Sequence, residues 1–360
     1  MLPKQAYYHG FSLLDGVGFR ALQRLLRVSG AIESAWLDFE SLSKYCFSQN
    51  RAFALIDRWR NIDVVKEWAN LDALGISLIC LEQDSYPALL KAIHLPPIAL
   101  YVRGHLALPK QALTVVGTRK MSNYGRACVQ ALIPPLASGG FGIVSGLAFG
   151  VDATCHEAAL EAGLYTVAVL ASGVNMVTPS SHEYLARRII EAGGAIVSEM
   201  PPGRMPYKGS FPRRNRILAG LTQQTLVIEA DLESGSLNTA HQALTENREV
   251  LAVPGPIYSP VSKGCHKLLR EGATQITCVD DILHSYNVAA HSPRTSPFLD
   301  PEERDFARHL GQQTLTLDEI MAKTKRTASA SLALLTALEL KGLTTKLPGQ
   351  GYVLSVTLDD

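Results

Sequence analysis

The fold is decided by residues 113–146, LTVVGTRKMSNYGRACVQALIPPLASGGFGIVSG, in which two short apolar runs enclose a stretch long enough for one helix. The runs are Leu113–Val116 and Phe141–Val144, and neither alternates apolar with polar residues. Continuous apolar strands separated by helices are typical of a parallel sheet that is covered on both faces. This stretch therefore predicts the beginning of a doubly wound α/β core.

The same alternation continues to about residue 285. Four more apolar, branched runs follow, and they are Thr166–Leu170, Ala195–Val197, Thr225–Ile228 and Val250–Val253. We therefore predict an extended Rossmann-like domain with a doubly wound parallel sheet over residues 76–286. Ligands of such a sheet bind beyond the carboxyl ends of its strands.

The N-terminal segment, residues 1–75, predicts a small all-helical domain, because apolar residues recur at three- and four-residue spacing, as from Phe19 onward. Leu13-Leu-Asp-Gly-Val-Gly18 before a helix is typical of a SAM or helix-hairpin-helix domain, whose exposed amides could meet a phosphate. A tight turn that only packs two helices together explains the same glycines.

The C-terminal segment begins with a Pro- and Ser-rich stretch, residues 287–299, which predicts a linker. Three helical patterns and a strand–turn–strand then predict a winged-helix domain over residues 300–360. From residue 298 on, seven basic side chains stand against nine acidic ones, and the third helix has no Arg, Asn or Gln to read base edges. We therefore expect this domain to contact another protein or to have a weak auxiliary role in DNA binding. The same features argue against sequence-specific binding of duplex DNA.

Composition places the chain among cytoplasmic globular proteins. Its six cysteines form no C-x-x-C pair, which favours free thiols in a reducing compartment and argues against structural zinc. No run approaches ~18 apolar residues, and residues 1–30 show no secretory signal, so we expect neither a membrane span nor export.

The turns after the predicted strands carry the residue types that bind phosphate. Gly117-Thr118-Arg119, Ser145-Gly146 and Gly235-Ser236 each follow an apolar run and combine small residues with hydroxyls. Such turns let backbone amides approach an anion, and Arg119 adds a bidentate donor. G-x-G-x-x-G and G-x-x-x-x-G-K-[ST] are both absent from the chain, so we predict neither a dinucleotide nor a P-loop nucleotide, and no cofactor.

A basic segment suggests which phosphate is bound, although the net charge of the chain is only +1. Five basic residues and no acid lie between residues 200 and 216, and Phe211-Pro-Arg213-Arg214-Asn215-Arg216 sets an aromatic ring beside three of them. We expect this segment to be a loop. A ring that stacks on a base, together with charge that neutralises the backbone, is typical of proteins that bind single strands.

Five motifs then occur in one order along the chain: Gly117-Thr-Arg…Ser122-x-Tyr-Gly125, Ser145-Gly-Leu-Ala-Phe-Gly-Val-Asp-Ala-x-x-His156, Phe211-Pro-Arg-Arg-Asn-Arg-Ile-Leu-Ala-Gly-Leu221, Ser234-Gly-Ser-Leu-x-Thr-Ala240 and Val253-Pro-Gly255. In this order they resemble the DNA-processing protein DprA (Smf) family, over about residues 80–285. Ala171-Ser172-Gly173 and Asn238 depart from the family pattern without touching the arginines or Phe211.

This resemblance implies binding of incoming single-stranded DNA in natural transformation, protection of that DNA, loading of RecA recombinase onto it, and a homodimer formed through the Rossmann-like domain. It also implies the site residues. The first two turns and the helix start at Gly235-Ser236 would hold phosphate, and Phe211 would contact a base. The basic segment would shape the pocket. The implied site residues are Gly117, Thr118, Arg119, Ser145, Gly146, Phe211, Arg213, Arg214, Asn215, Arg216, Gly235 and Ser236.

The main alternative is an enzyme, since similar Rossmann proteins hydrolyse nucleotides or phosphoribosyl compounds. The glutamate of their motif corresponds here to Gln242, which cannot act as a general base. His156 and His241 remain as possible bases, whereas Asp152 is better explained as orienting the Ser145 turn. We therefore predict a binding protein without turnover.

Overall fold

The computed structural model describes residues 2–288, 300–310, 315–341, 343–347 and 351–354. Backbone contacts divide the chain into two compact units, one up to residue 291 and one from residue 292 on. The helical N-terminal segment and the large sheet fall into the first unit, so the domain boundary at residue 75 stays a prediction. Most of the predicted linker, residues 289–299, lies outside the described residues.

The first unit is built on one sheet, and within residues 2–288 this sheet has nine strands in the order β1-β2-β6-β5-β4-β3-β7-β8-β9. All six predicted strands are present. The nine strands are β1 Ser77–Cys80, β2 Ala99–Gly104, β3 Ala112–Val116, β4 Gly142–Ser145, β5 Tyr165–Val169, β6 Ala195–Ser198, β7 Gln224–Val227, β8 Glu249–Ala252 and β9 Thr274–Gln275.

The predicted parallel core is present, and two antiparallel strands that the sequence did not predict extend it at one edge. The seven strands from β6 to β9 run parallel to their neighbours, but β2 pairs antiparallel with β6, and β1 antiparallel with β2. Central β3 pairs with β4 on one side and β7 on the other. The chain continues from β3 to β4 on one side, and the later strand β7 lies on the other side. Doubly wound sheets open a crevice for ligands where the strand order reverses in this way.

Helices surround this sheet and place its strand ends. They are α1 Lys4–Leu13, α2 Phe19–Ser29, α3 Ile32–Leu37, α4 Phe39–Cys46, α5 Gln49–Arg60, α6 Val64–Ala73, α7 Ala88–Lys91, α8 Asn123–Leu132, α9 Val151–Glu161, α10 Glu183–Glu191, α11 Ser210–Leu221, α12 Gly235–Thr245, α13 Lys263–Arg270 and α14 Val279–Ser285.

Both faces of the sheet are buried, as a doubly wound sheet requires. On one face Leu113 and Val115 of β3 pack in a cluster with Val129 of α8. On the other face Val116 lies in a cluster with Leu218 of α11 and Ala240 of α12. The continuous apolar runs therefore arise because adjacent residues of a strand face two different cores.

The N-terminal helices pack around an aromatic cluster in which the ring centroids of Phe11 and Trp36 are 5.1 Å apart. Between α1 and α2 the chain turns at Gly16, whose φ is +95°. The carboxylate of Asp15 in this turn lies 3.6 Å from Arg58 and 3.4 Å from Arg204. Ion pairs therefore anchor this turn to α5 and to the chain after β6, which favours the simpler explanation of a packing turn.

The second unit has the three helices and the hairpin that the sequence predicts, α15 Pro301–Leu310, α16 Leu317–Thr324, α17 Ala328–Leu340, and β10 Leu315–Thr316, β11 Thr344–Leu347 and β12 Gly351–Leu354. Phe306, Ile320 and Leu338 are fully buried in its core. Across the described parts of the chain no helix is long and apolar enough to cross a membrane.

Candidate functional site

A cleft of about 400 Å³ opens where β3 and β7 end side by side. Its walls are the turn after β3, the first turn of α11 and the start of α12. Eight residues that the sequence predicted for the site line this cleft, and they are Gly117, Thr118, Arg119, Phe211, Arg214, Asn215, Gly235 and Ser236.

The turn after β3 is held rigidly against the neighbouring elements. A Cβ on Gly117 would lie 2.5 Å from the side chain of Val151, so only glycine fits there. The amide of Thr118 donates to the carbonyl of Glu229 at 2.6 Å, which joins the turn to the end of β7. Arg119 follows on this fixed backbone, and its side chain is exposed to solvent.

Arg119 lies over the ring of Phe211, with its guanidinium carbon 5.5 Å from the ring centroid. Within the described residues Arg119 has no ion pair. The cation–π contact positions the side chain without neutralising its charge. The ring of Phe211 is half-buried, so one part of it faces the cleft.

Residues 211–216 of the basic segment lie in the first part of helix α11, which corrects the prediction of a loop there, whereas residues 201–209 are not helical. Pro212 stands in the first turn of that helix, where the missing amide hydrogen costs nothing. The helix forms because Ile217, Leu218 and Leu221 are buried against the core. The first turn of the helix consequently places Phe211 at the edge of the cleft. The side chains of Arg213, Arg214 and Arg216 point in different directions.

Arg214 points inward and has a structural role. Its Nη1 donates to the carbonyl of Gly146 at 2.8 Å and to that of Val169 at 2.7 Å, which ties together the ends of β4 and β5. Burial lowers the pKa of Arg214, and the carboxylate of Asp152 opposes that effect. Burial also raises the pKa of Asp152, which Arg214 and the amide of Ala148 oppose.

The start of α12 forms the opposite wall of the cleft. Nδ2 of Asn215 donates to the carbonyl of Gly235 at 3.3 Å and to Oδ1 of Asn238 at 3.1 Å, so that α11 and α12 are held together. Ser234 caps the helix by accepting from the amide of Ser236 at 3.3 Å. A Cβ at Gly235 would meet no atom within 4 Å, so the backbone at this helix start faces open space.

Four predicted residues lie outside this cleft. Ser145 is fully buried, and its hydroxyl donates to the carbonyl of Val115 at 2.6 Å. Gly146 lines a smaller adjoining cavity. Arg213 and Arg216 lie 3.3 Å and 2.5 Å from one carboxylate, that of Glu199. One carboxylate therefore offsets part of the charge of the two arginines that were expected to shape the pocket, and a net positive charge remains on the three side chains.

One residue that supports the wall of the cleft, Glu229, and three residues that line the cleft were missed by the sequence reasoning. Glu229 is 2% exposed and accepts from the amide of Ser122 at 2.9 Å and from its hydroxyl at 2.5 Å, which fixes the chain between β3 and α8. The signal in the sequence that could have identified Glu229 is its position directly after the apolar run Thr225–Ile228. Lys120, Asp231 and Glu233 also line the cleft, so its rim carries both signs of charge.

Comparison with known proteins identifies two family domains. Residues 77–287 match the family model described as DNA recombination-mediator protein A, and residues 290–350 match the DprA winged helix domain. The chain is 39% identical over 288 residues to Protein Smf of Escherichia coli K12, covering 77% of this chain and 76% of that protein.

Two solved structures are similar. The X-ray structure of DprA from Streptococcus pneumoniae has a TM-score of 0.68 at 32% identity, covering 79% of this chain and 98% of that one. A Helicobacter pylori DprA structure, described as giving insights into a unique single-stranded DNA binding mode, has a TM-score of 0.53 at 29% identity and covers 59% of this chain and 95% of that one.

Proposed function

The chain belongs to the DNA recombination-mediator protein A (DprA) family, and on that premise we propose that it binds single-stranded DNA in the cleft between β3 and β7. The observation that carries the proposal is the pair formed by Arg119 and Phe211. An exposed guanidinium without an ion pair offers its charge to a phosphate, and the half-buried ring beside it offers a face to an unpaired base.

The backbone around this pair supports the same assignment. The start of α12 at Gly235 has open space where a side chain would stand, so a sugar-phosphate chain can approach the amides there closely. Bases in a duplex are stacked on each other and would not reach the ring of Phe211. We therefore propose that single strands are bound in preference to duplex.

We further propose that the protein protects incoming DNA during natural transformation, loads RecA recombinase onto it and acts as a homodimer through the Rossmann-like domain. Membership of a family of recombination mediators supports this role. We place the protein in the cytoplasm, where thiols such as the buried Cys155 and Cys265 stay reduced.

We propose binding without hydrolysis of nucleotides. Gln242 stands where the related hydrolases have their glutamate. His156 is fully buried with its Nδ1 2.7 Å from Oγ1 of Thr166, and burial lowers its pKa to about 3. This histidine is therefore out of reach of a substrate in the cleft.

The test is a salt titration of the binding of an oligothymidylate and of a duplex of the same length, with a nucleotide-hydrolysis assay on the same preparation. We expect tighter binding of the single strand at every salt concentration and no hydrolysis. Equal affinity for the two DNAs would contradict the binding proposal. Hydrolysis that is lost in a His156→Gln or Glu199→Gln variant would support the enzyme instead.

A further inference from the structure

A second cavity of about 160 Å³ adjoins the cleft on the side of β4 and β5. Arg119, Phe211 and Arg214 line both spaces, so the pair of Arg119 and Phe211 stands between them. The cavity is smaller than the roughly 300–1,000 Å³ that drug-sized ligands occupy. A single ring system is therefore the unit that it can hold.

The walls of this cavity are suited to a flat, apolar ligand. Phe149, Pro179 and Pro206 line it together with Phe211. The hydroxyl of Ser172, which also lines it, is already used, since it donates to the carbonyl of Met176 at 2.6 Å. Among the described lining residues none is acidic, whereas the main cleft has three acids.

Phe149 is presented to solvent by a turn that cannot relax. Leu147 has a φ of +57°, which is costly for a residue with a branched side chain, and Gly150 has a φ of +76°. A Cβ on Gly150 would lie 2.3 Å from the carbonyl of Thr118. This constrained backbone leaves Phe149 49% exposed, so part of its ring is open to a ligand.

The ring of Phe149 is also held from the side. Its centroid lies 4.9 Å from that of His182 in an edge-to-face arrangement, and Nδ1 of His182 donates to the carbonyl of Leu147 at 2.8 Å. The face of the ring is thereby kept at a fixed angle. A fixed aromatic face beside a cation is the arrangement on which unpaired bases stack.

We propose that this cavity binds a second nucleobase of the strand, stacked on Phe149, while Phe211 contacts its neighbour. The inference rests on the proposed function and deepens it, because it gives the strand a direction across the sheet, from the start of α12 past Arg119 toward the end of β5. Because Arg119 and Phe211 line both spaces, a strand that places one base in the cleft would place its next base in the cavity.

The experiment compares an oligothymidylate with an abasic strand of equal length, which keeps every phosphate and lacks every base. Full-length wild type, Phe149→Ala, Phe149→Trp and the matched control Phe53→Ala are measured by fluorescence anisotropy. Phe53 is 77% exposed on α5 and lines neither space. Melting temperatures show that each variant is folded.

We expect Phe149→Ala to weaken oligothymidylate binding roughly five- to 150-fold and to leave abasic-strand binding within about twofold. Phe149→Trp, which keeps an aromatic face, should bind oligothymidylate more tightly than Phe149→Ala, and Phe53→Ala should bind like wild type. The double variant of Phe149→Ala and Phe211→Ala should bind oligothymidylate more weakly than either single variant, because two different bases are released.

Three outcomes would overturn the inference alone while wild type still prefers single strands. These are unchanged oligothymidylate binding by Phe149→Ala, an equal loss for the abasic strand, and a double variant no weaker than Phe211→Ala, which would mean one shared base. A wild type without preference for single strands would instead overturn the proposed function, and this inference with it.

Discussion

Nη1 of Arg214 donates a hydrogen bond of 2.8 Å to the carbonyl of Gly146, and this contact fixes the end of β4 beneath the cleft. The guanidinium fills the space that a side chain at Gly146 would need. A Cβ there would lie 2.0 Å from the same nitrogen and 2.7 Å from Oδ2 of Asp152. The glycine of this turn is therefore required by a buried arginine and its acidic partner.

Gly146→Ala should therefore destabilise the protein. We expect the free energy of unfolding to fall by about 1–3 kcal/mol, the usual cost of overpacking. Chemical denaturation measures this change. Gly235→Ala is the matched control, because a Cβ there meets no atom within 4 Å, and its stability should stay within about 0.5 kcal/mol of wild type. Equal stability of the two variants would show that Arg214 moves aside.

Arg119→Ala should weaken the binding of single strands almost uniformly over sequence. Because a phosphate contact releases counterions, we expect the slope of log affinity against log salt to become shallower by about 0.7. Fluorescence anisotropy over a salt series provides the slope. Arg213→Ala is the control of equal charge, since its guanidinium is bound to Glu199 at 3.3 Å outside the cleft. A slope that changes equally in both variants would remove Arg119 from the phosphate contact.

Acid should destabilise the fold through two buried histidines. Burial lowers the pKa of His156 to about 3 and that of His9 to about 4, below the ordinary value of 6.5. Between those values and pH 6.5 the unfolded chain binds protons that the folded chain does not. The free energy of unfolding should therefore fall with falling pH, by up to about 1.4 kcal/mol per pH unit for each histidine.

Urea midpoints measured from neutral pH down to pH 5 would test this dependence. His156→Gln should make the dependence shallower, and the exposed His241→Gln should leave it unchanged. Stability that is flat over the same range would mean that both histidines gain their protons inside the folded protein.

Removal of the second unit, residues 292–360, should change single-strand affinity by no more than about twofold. That unit has more acidic than basic residues, and the phosphate contacts proposed above all lie in the first unit. The truncated and full-length proteins can be compared in one anisotropy series. A tenfold loss of affinity would assign the winged helix a direct part in binding.

The sequence predicted the parallel strands well because their signal is local. Runs such as Leu113–Val116 are apolar except for the buried Thr114, because both faces of the sheet are covered. The antiparallel pairing of β2 with β6 could not be predicted, because it joins segments about 90 residues apart by backbone hydrogen bonds that any sequence can make.

The different roles of the three arginines at the start of α11 could not be predicted for a related reason. Arg213, Arg214 and Arg216 are alike in the sequence, and their roles separate only when α11 forms and sends its side chains in different directions. Glu199 lies 14 residues before Arg213, and the sequence alone does not show that the two meet. Phe211, by contrast, was correctly expected near the strand-end turns.

The ion pairs of Arg213 and Arg216 with the single carboxylate of Glu199 lower the net charge of this group from +2 to +1, which affects how firmly a strand would be held. Because part of the cationic charge is offset in this way, we expect electrostatic attraction to contribute less to binding than the number of arginines suggests, and the aromatic rings to contribute more. A strand retained in this way can be taken over piece by piece by a competitor that engages its backbone more strongly. Binding that a competitor can displace in this way is what the proposed transfer of DNA to a recombinase requires.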